Sequence, residues 1–142
     1  MILLDTTVLS YAVGADHRLR EPSRRIVDHA ASGPPRFTTT TEVIQEFAHV
    51  HARRRPRGKA VRLARSYVEL LSPLVEITAE DVRAGLKLFE RHESLGAFDA
   101  VLAAVALNRE ADALVSADDA FGSVPKLPFV ALGSEELEAL VG

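Results

Sequence analysis

Short runs of consecutive apolar residues along the chain predict β-strands. The first run, Ile2–Leu4, has no polar alternation, which is typical of a strand buried on both faces in a parallel sheet. Four further segments predict strands at residues 36–39, 74–77, 113–116 and 129–132. Such strands need helices packed on both faces of the sheet, and the longer segments between them have the pattern of helices.

In those longer segments the apolar residues recur every three or four positions, which predicts amphipathic helices. One such face comprises Ala60, Leu63, Ala64, Tyr67, Val68 and Leu71. Helices are predicted at about residues 8–13, 22–32, 40–52, 59–71, 79–92, 97–107 and 135–141. Strands that alternate with helices imply an α/β fold with a parallel sheet and right-handed crossover connections.

The composition limits the possible classes of protein. With 142 residues, of which 47% are hydrophobic and 26% charged, the chain is expected to form one domain over residues 1–142. It has no cysteine, which excludes disulfides, cysteine nucleophiles and thiolate zinc sites. No signal peptide is expected, and the longest apolar stretch, 97–107, contains Asp99 and is too short to cross a bilayer. A cytoplasmic location without membrane contact is therefore expected.

The net charge of −3 conceals a basic segment. Between Arg53 and Arg65 lie six arginines, one lysine and no acid. Such a cluster attracts the phosphates of nucleic acids in a way that depends on salt but not on sequence. The same residues would also keep two helices solvated, and the charge pattern alone leaves both interpretations open.

Several carboxylates stand where the predicted elements begin or end. Asp5 and Asp118 follow the strands at 2–4 and 113–116, Asp99 lies in the first turn of a helix, and Glu46 lies within a helix, one turn after Glu42. Because the functional crevice of a parallel sheet lies beyond the carboxyl ends of its strands, these acids are expected to converge. Carboxylates without cysteine suit a hard cation such as Mg²⁺ or Mn²⁺, which removes the repulsion between them.

Each acid taken alone has a purely structural alternative. Asp5 could cap the helix that follows it, and Asp99 could be an acid that the helix dipole favours. Asp118 and Asp119 could be turn residues, and Glu46 could pair with the basic side chain of Arg53 or His49. The presence of four such acids in one chain favours a functional site.

Four blocks of sequence carry a family resemblance and together span nearly the whole chain. They are residues 3–8 (LLDTTV), 40–47 (TTEVIQEF), 98–103 (FDAVLA) and 114–121 (LVSADDAF). In their order and spacing they resemble PIN-domain ribonucleases of the VapC type, the toxins of bacterial toxin–antitoxin pairs. The resemblance implies a PIN-like three-layer α/β sandwich, with a central parallel sheet of four or five strands flanked by helices.

The resemblance also implies which acids are catalytic. In the family the carboxylates of these blocks hold the metal, which carries over to Asp5, Glu46, Asp99 and Asp118, with Asp5, Asp99 and Asp118 as the ligands. Thr7 is implied as a supporting hydroxyl.

Ser116 is implied as a second supporting hydroxyl. At two positions it stays open which of two nearby acids corresponds to the carboxylate of the family. Glu42 competes with Glu46, although the phenylalanine directly after Glu46 fits the family better. Asp119 competes with Asp118 or assists it, and the phenylalanine three positions after Asp118 favours Asp118.

By the same resemblance the chain is expected to be an Mg²⁺- or Mn²⁺-dependent endoribonuclease that leaves 5′-phosphate and 3′-hydroxyl ends. Its low aromatic content, 6%, argues against a broad base-stacking platform and favours a structured RNA such as tRNA. RNA contacts are expected from Arg53, Arg54, Arg55, Arg57, Lys59, Arg62 and Arg65. No histidine is required, and the histidines are expected at the surface.

The expected partners are a cognate antitoxin and a second copy of the chain. Some of these arginines could bind an acidic tail of the antitoxin. The apolar faces of residues 43–50 and 60–71 could form the dimer interface or could be ordinary core. The alternative function is a PIN fold that has lost catalysis and only binds RNA or protein. A phosphoacceptor domain would need an acidic pair after the first strand, and a haloacid-dehalogenase-type phosphatase would need an acid at Thr7; both are disfavoured.

Overall fold

The computed structural model describes residues 1–141. In chain order its elements are β1 Ile2–Leu4, α1 Thr6–Val13, α2 Arg20–Ser32, β2 Phe37–Thr38, α3 Thr41–Ala52, α4 Arg57–Leu71, α5 Ala79–Arg91, α6 Ala97–Asn108, β3 Ala113–Ser116, a 3₁₀ helix Asp119–Ser123, β4 Phe129–Ala131 and α7 Glu135–Val141. The domain predicted over residues 1–142 includes Gly142, which lies outside the described residues.

The described strands form one four-stranded sheet in the order β2-β1-β3-β4, and all neighbouring strands are parallel. β1 lies inside the sheet, and its residues Ile2–Leu4 are fully buried. Leu4 pairs with Val115 of β3, so the two strands end at the same edge. The predicted α/β fold with a central parallel sheet of four or five strands is confirmed, with four strands. Among residues 1–141, no helix is long and apolar enough to cross a membrane.

The strand predicted at 74–77 does not form. Only Val75 makes a parallel bridge, to Thr40, through backbone hydrogen bonds with Thr39 and Thr41. This contact lies beyond the end of β2, so the segment adds one bridge and not a fifth strand. The 3₁₀ helix Asp119–Ser123 was not predicted, and α2 begins at Arg20, two residues before the predicted start at Pro22.

The helix faces considered for a dimer interface belong to the core. Val43, Ile44 and Phe47 of α3 are buried, and so are Tyr67 and Leu71 of α4, which packs beside α3. The ring of Phe47 meets that of Tyr67 edge to face at 5.1 Å between centroids. Most apolar residues of both faces are therefore packed within the chain, and Val50 of α3 is the member of the 43–50 face that stays exposed, at 39%.

Helices α5 and α6 cross so closely that one residue must be glycine. A Cβ atom on Gly85 would lie 2.6–3.0 Å from side-chain and backbone atoms of Val101, closer than real contacts allow. The apolar residues beside this crossing are exposed, with 40–72% of their surface accessible: Val82, Leu86, Phe89 and Phe98. The apolar face of α5 is thus only partly covered by the described chain.

Candidate active site

The site lies at the carboxyl edge of the two inner strands. Asp5 follows β1 directly, and its backbone N–H donates to the carbonyl of Val115 in β3 at 3.0 Å. Asp118 follows β3 by one residue and begins the 3₁₀ helix. Because β1 and β3 are parallel neighbours, the sheet topology brings these two distant acids to one place.

The carboxylate of Asp5 is buried and held by two hydroxyl groups. Its Oδ2 accepts hydrogen bonds from Thr7 Oγ1 at 3.0 Å and from Ser116 Oγ at 2.6 Å. The Thr7 hydroxyl also accepts from the N–H of Ala117, and the Ser116 hydroxyl accepts from the N–H of Asp118. Both expected supporting hydroxyls therefore connect β1 to β3 through Asp5. The Asp5 side chain makes no capping bond to α1, so the simple capping interpretation does not apply.

Glu46 reaches the site from the middle of α3. Its Oε2 accepts a short hydrogen bond, 2.6 Å, from Thr6 Oγ1, which fixes α3 against the start of α1. The alternative, a surface pair of Glu46 with Arg53 or His49, does not form among residues 1–141. Arg53 instead contacts Nε2 of His49 at 3.0 Å. Glu46 is thus directed toward the acids and not toward the basic segment.

Glu42 and Asp119, the two alternative acids, differ in position. Glu42 lines the same cavity as Asp5 and Glu46, and its Oε2 is buried without a hydrogen-bond partner in the described chain. The other oxygen accepts from the hydroxyl of Thr41. Asp119 is exposed and lines neither of the two cavities described below. The geometry therefore places Glu42, but not Asp119, beside the central acids.

Two cavities meet at Asp5, Glu46 and Asp99. The smaller, about 400 Å³, continues over the exposed apolar residues of α5 and α6, including Phe98. The larger, about 740 Å³, also contains Asp118 and opens toward the C-terminal end of α3. All four expected catalytic acids line the larger cavity.

Burial, followed by the negative charges of Asp5, Asp118 and Glu46 in that order, raises the pKa of Asp99 to about 7. A cation would offset this repulsion, and the donor set, carboxylates only, fits Mg²⁺ or Mn²⁺. The unpartnered Oε2 of Glu42 is a further oxygen that a cation could use. As the side chains stand within residues 1–141, however, no three acids or histidines form a ready-made chelating group.

Of the seven basic residues expected to contact RNA, two line the larger cavity: Arg54 and Arg55. The other five are exposed and line neither cavity: Arg53, Arg57, Lys59, Arg62 and Arg65. The basic segment therefore reaches the acidic site through Arg54 and Arg55, and four of its other residues lie on α4.

Three residues near the site were not predicted. Thr6 donates a hydrogen bond to Glu46, and Ser10 contacts His51 at 3.3 Å. The prediction that the histidines lie at the surface is wrong for His51, whose exposed fraction is 6%. One signal was present in the sequence, because His51 lies four residues after Phe47 on the apolar face of α3. The contacts of Thr6 and Ser10 depend on how distant helices pack.

A family model for the PIN domain matches residues 2–127. The chain is 47% identical to Ribonuclease VapC7 of Mycobacterium tuberculosis over 146 positions, which cover 100% of this chain and 99% of that protein. It is 37% identical to Ribonuclease VapC23 of the same organism over 101 residues, or 70% of this chain and 78% of that protein.

Solved structures with the same fold include VapC20 of Mycobacterium tuberculosis, described as a toxin that cleaves the sarcin–ricin loop. It superposes with a TM-score of 0.72 at 21% identity, over 87% of this chain and 94% of that one. VapBC2 of Rickettsia felis, bound to a promoter DNA fragment, matches with a TM-score of 0.71 at 17% identity, over 92% of this chain and 98% of that one.

Proposed function

The chain belongs to the PIN-domain family of VapC ribonucleases, and from that premise we propose that it is a metal-dependent endoribonuclease and the toxin of a toxin–antitoxin pair. It hydrolyses RNA phosphodiester bonds, in a structured RNA such as tRNA, and leaves 5′-phosphate and 3′-hydroxyl ends. Its partners are the RNA, a cognate antitoxin and a second copy of the chain. The cytoplasmic location expected from the sequence stays a prediction.

The proposed metal site consists of Asp5, Asp99 and Asp118, with Glu46 beside them. A divalent cation held there would act as a Lewis acid: it would make water a better nucleophile at neutral pH and would offset charge on the leaving 3′-oxygen. Thr7 and Ser116 fix the carboxylate of Asp5 at the strand end by hydrogen bonds. Glu46, whose carboxylate accepts a hydrogen bond from Thr6 and lines the same cavity, orients the attacking water by a hydrogen bond.

An acidic cavity repels a polyanion, so the approach of RNA depends on basic residues. Arg54 and Arg55 stand on the cavity wall and bind the phosphates nearest the cut. The exposed remainder of the basic segment, along α4, holds the RNA outside the cavity. These contacts carry no base specificity of their own and weaken as salt concentration rises.

One observation carries the proposal: four acids from four separate parts of the chain line a single cavity, where their charges repel one another. The test is to incubate the purified protein with total tRNA and ribosomal RNA in Mg²⁺, Mn²⁺ or EDTA and to map the fragment ends. Discrete fragments with 5′-phosphates that appear only with metal are the expected result. RNA binding without any cleavage would contradict the proposal and favour a PIN fold that only binds RNA.

Removal of the Ser116 hydroxyl is expected to weaken metal binding. Ser116→Ala takes away the 2.6 Å hydrogen bond to Asp5, and loss of a group that orients a metal ligand lowers metal affinity by about 10- to 100-fold. Titration of Mn²⁺ by calorimetry measures the change directly. Ser66→Ala, which removes an exposed hydroxyl on α4, is the matched control and should bind Mn²⁺ as the wild type does. Equal affinities for both variants would mean that Ser116 has no role in the metal site.

The proposed dimer forms through the exposed apolar residues of α5 and α6, because the faces of α3 and α4 are core. Exposed apolar side chains that lie together typically mark an interface. Leu86→Glu is expected to convert the protein into a monomer, as measured by light scattering after size exclusion, since it places a charge in this surface. Val61→Glu changes an equally apolar, 43% exposed residue of α4 and should leave the dimer intact. A dimer that persists in Leu86→Glu would exclude this surface.

A further inference from the structure

The larger cavity has a second wall that the metal site does not use. Besides the acids it is lined by Tyr11 and His17 at the end of α1 and in the following loop, and by His51, Arg54 and Arg55 at and just after the end of α3. Its volume of about 740 Å³ lies within the range of sites that hold a small molecule or a single nucleotide.

Arg55 is fixed in this wall by two contacts. Its Nη2 donates to the carbonyl of Val13 at 3.2 Å, and its Nη1 contacts Nδ1 of His51. Two of its five N–H groups are thereby used, and the remaining three are available to a ligand. A guanidinium held in one orientation is suited to bind a phosphate with two parallel hydrogen bonds.

His51 is the residue that makes this arrangement possible. Its ring stacks on Phe47 at 4.2 Å between centroids, and it is buried. Burial, followed by the positive charges of Arg55 and Arg54, lowers the pKa of His51 below its ordinary value. Because a guanidinium can only donate, Nδ1 of His51 accepts from Arg55, and its Nε2–H then donates to Ser10 Oγ.

The other part of this wall is aromatic. The rings of Tyr11 and His17 stack at 4.7 Å between centroids with 28° between their planes. The backbone N–H of Leu19 donates to Nδ1 of His17 at 3.1 Å, which fixes the ring and leaves its Nε2 for a ligand. Tyr11 is partly buried and His17 is exposed. The Tyr11 ring therefore supports the His17 ring, which is accessible to a ligand. Aromatic rings in such positions stack on unpaired nucleobases.

We propose that Tyr11, His17 and Arg55 form a subsite for one nucleotide of the RNA next to the bond that is cut. Arg55 binds the phosphate of that nucleotide, and the stacked pair binds its base. The subsite rests on the proposed nuclease function, since it shares its cavity with the acids. It also accounts for base contacts in a chain whose few aromatic residues provide no extended stacking surface.

The test is a titration of the isotope-labelled protein with the four nucleoside 5′-monophosphates and with inorganic phosphate in EDTA, followed by NMR. At least one nucleotide is expected to bind about tenfold more tightly than phosphate and to shift the signals of Tyr11, His17 and Arg55 together. His17→Ala should remove this tenfold advantage without affecting phosphate binding. His29→Ala, which changes an exposed histidine of α2 outside the cavity, is the matched control.

Two results would overturn the proposal. The first is that no nucleotide binds better than phosphate. The second is that an acidic peptide shifts the NMR signals of Arg55 while the nucleotides do not, which would assign the wall to a protein partner. RNA cleavage by the same variants separates the two hypotheses. If the wild type cleaves RNA and His17→Ala shows unchanged cleavage and nucleotide binding, the subsite fails while the nuclease stands. If nucleotides bind as expected but no RNA is cut, the nuclease fails, and Tyr11, His17 and Arg55 form a nucleotide-binding site without a role in cleavage.

Discussion

The Asp5→Asn variant is expected to cleave RNA about a thousandfold more slowly than the wild type while it remains folded. The substitution keeps the shape of the side chain, and its amide oxygen can still accept from Thr7 and Ser116. It removes the charge needed to bind a cation, whose stabilisation of the transition state is worth several kcal/mol, or about a thousandfold at roughly 1.4 kcal/mol for each factor of ten. Cleavage of a defined RNA at saturating Mg²⁺ measures the loss.

Asp119→Asn is the matched control for this substitution. It removes the same charge from an exposed acid that lines neither cavity, so cleavage should proceed at nearly the wild-type rate. The melting temperature of Asp5→Asn should equal or exceed that of the wild type, since one of the charges that repel Asp99 is gone. Cleavage by Asp5→Asn at the wild-type rate would show that this acid is not required, or that a contaminating nuclease is responsible.

Most of the fold could be predicted because its strands are continuous apolar runs and its helices have regular apolar faces. Ile2–Leu4 and Ala113–Ser116 occur as predicted. The segment 74–77 has the same pattern, but strand formation also needs a neighbour of sufficient length. β2 is only two residues long, so Val75 finds one bridging partner beyond its end. Pairing of this kind depends on distant backbone, which a local pattern does not contain.

Of the site, the sequence predicts the acids and, through the family resemblance, the hydroxyls of Thr7 and Ser116. Asp5 and Asp118 follow strands, and parallel strands bring their ends together, so topology alone predicts that they converge. The hydroxyl of Thr6 and the ring of His51 depend on which side of α1 meets α3, and that is decided by packing. Five of the seven basic residues line neither cavity, four of them on α4, and charge counting cannot give that placement.

Apolar periodicity likewise does not distinguish a core face from an interface. The faces of α3 and α5 have similar patterns, yet Phe47 is fully buried and Phe89 is 45% exposed. The difference lies in what each helix packs against: α3 packs against α4 and α1, whereas α5 contacts mainly α6. The same helix α5 also contains Asp81, a buried acid with a structural role.

Asp81→Ala is expected to lower the free energy of unfolding by about 3 kcal/mol, the lower end of the range for breaking a buried ion pair. The Asp81 side chain is 1% exposed, and its carboxylate accepts five hydrogen bonds, from Thr78 (two), Asn108 and Arg109 (two). Alanine would leave the donors at the ends of α5 and α6 without this acceptor. Chemical denaturation measures the loss. Asp112→Ala breaks the exposed pair with the N-terminal amine and should change stability little.

The pH dependence of this effect distinguishes a charged acceptor from simple packing. The Arg109 guanidinium, with hydrogen bonds from Thr78 and Asn108, holds the pKa of Asp81 well below its ordinary value, although burial opposes the shift. A carboxyl whose pKa is lower in the folded state stabilises the fold fully above its unfolded pKa, near 4, and loses that contribution as the pH falls toward the folded pKa. The difference in stability between wild type and Asp81→Ala should therefore be constant from pH 6 to 8 and shrink below about pH 4. A difference that does not change with pH would mean that Asp81 acts through packing and not through its charge.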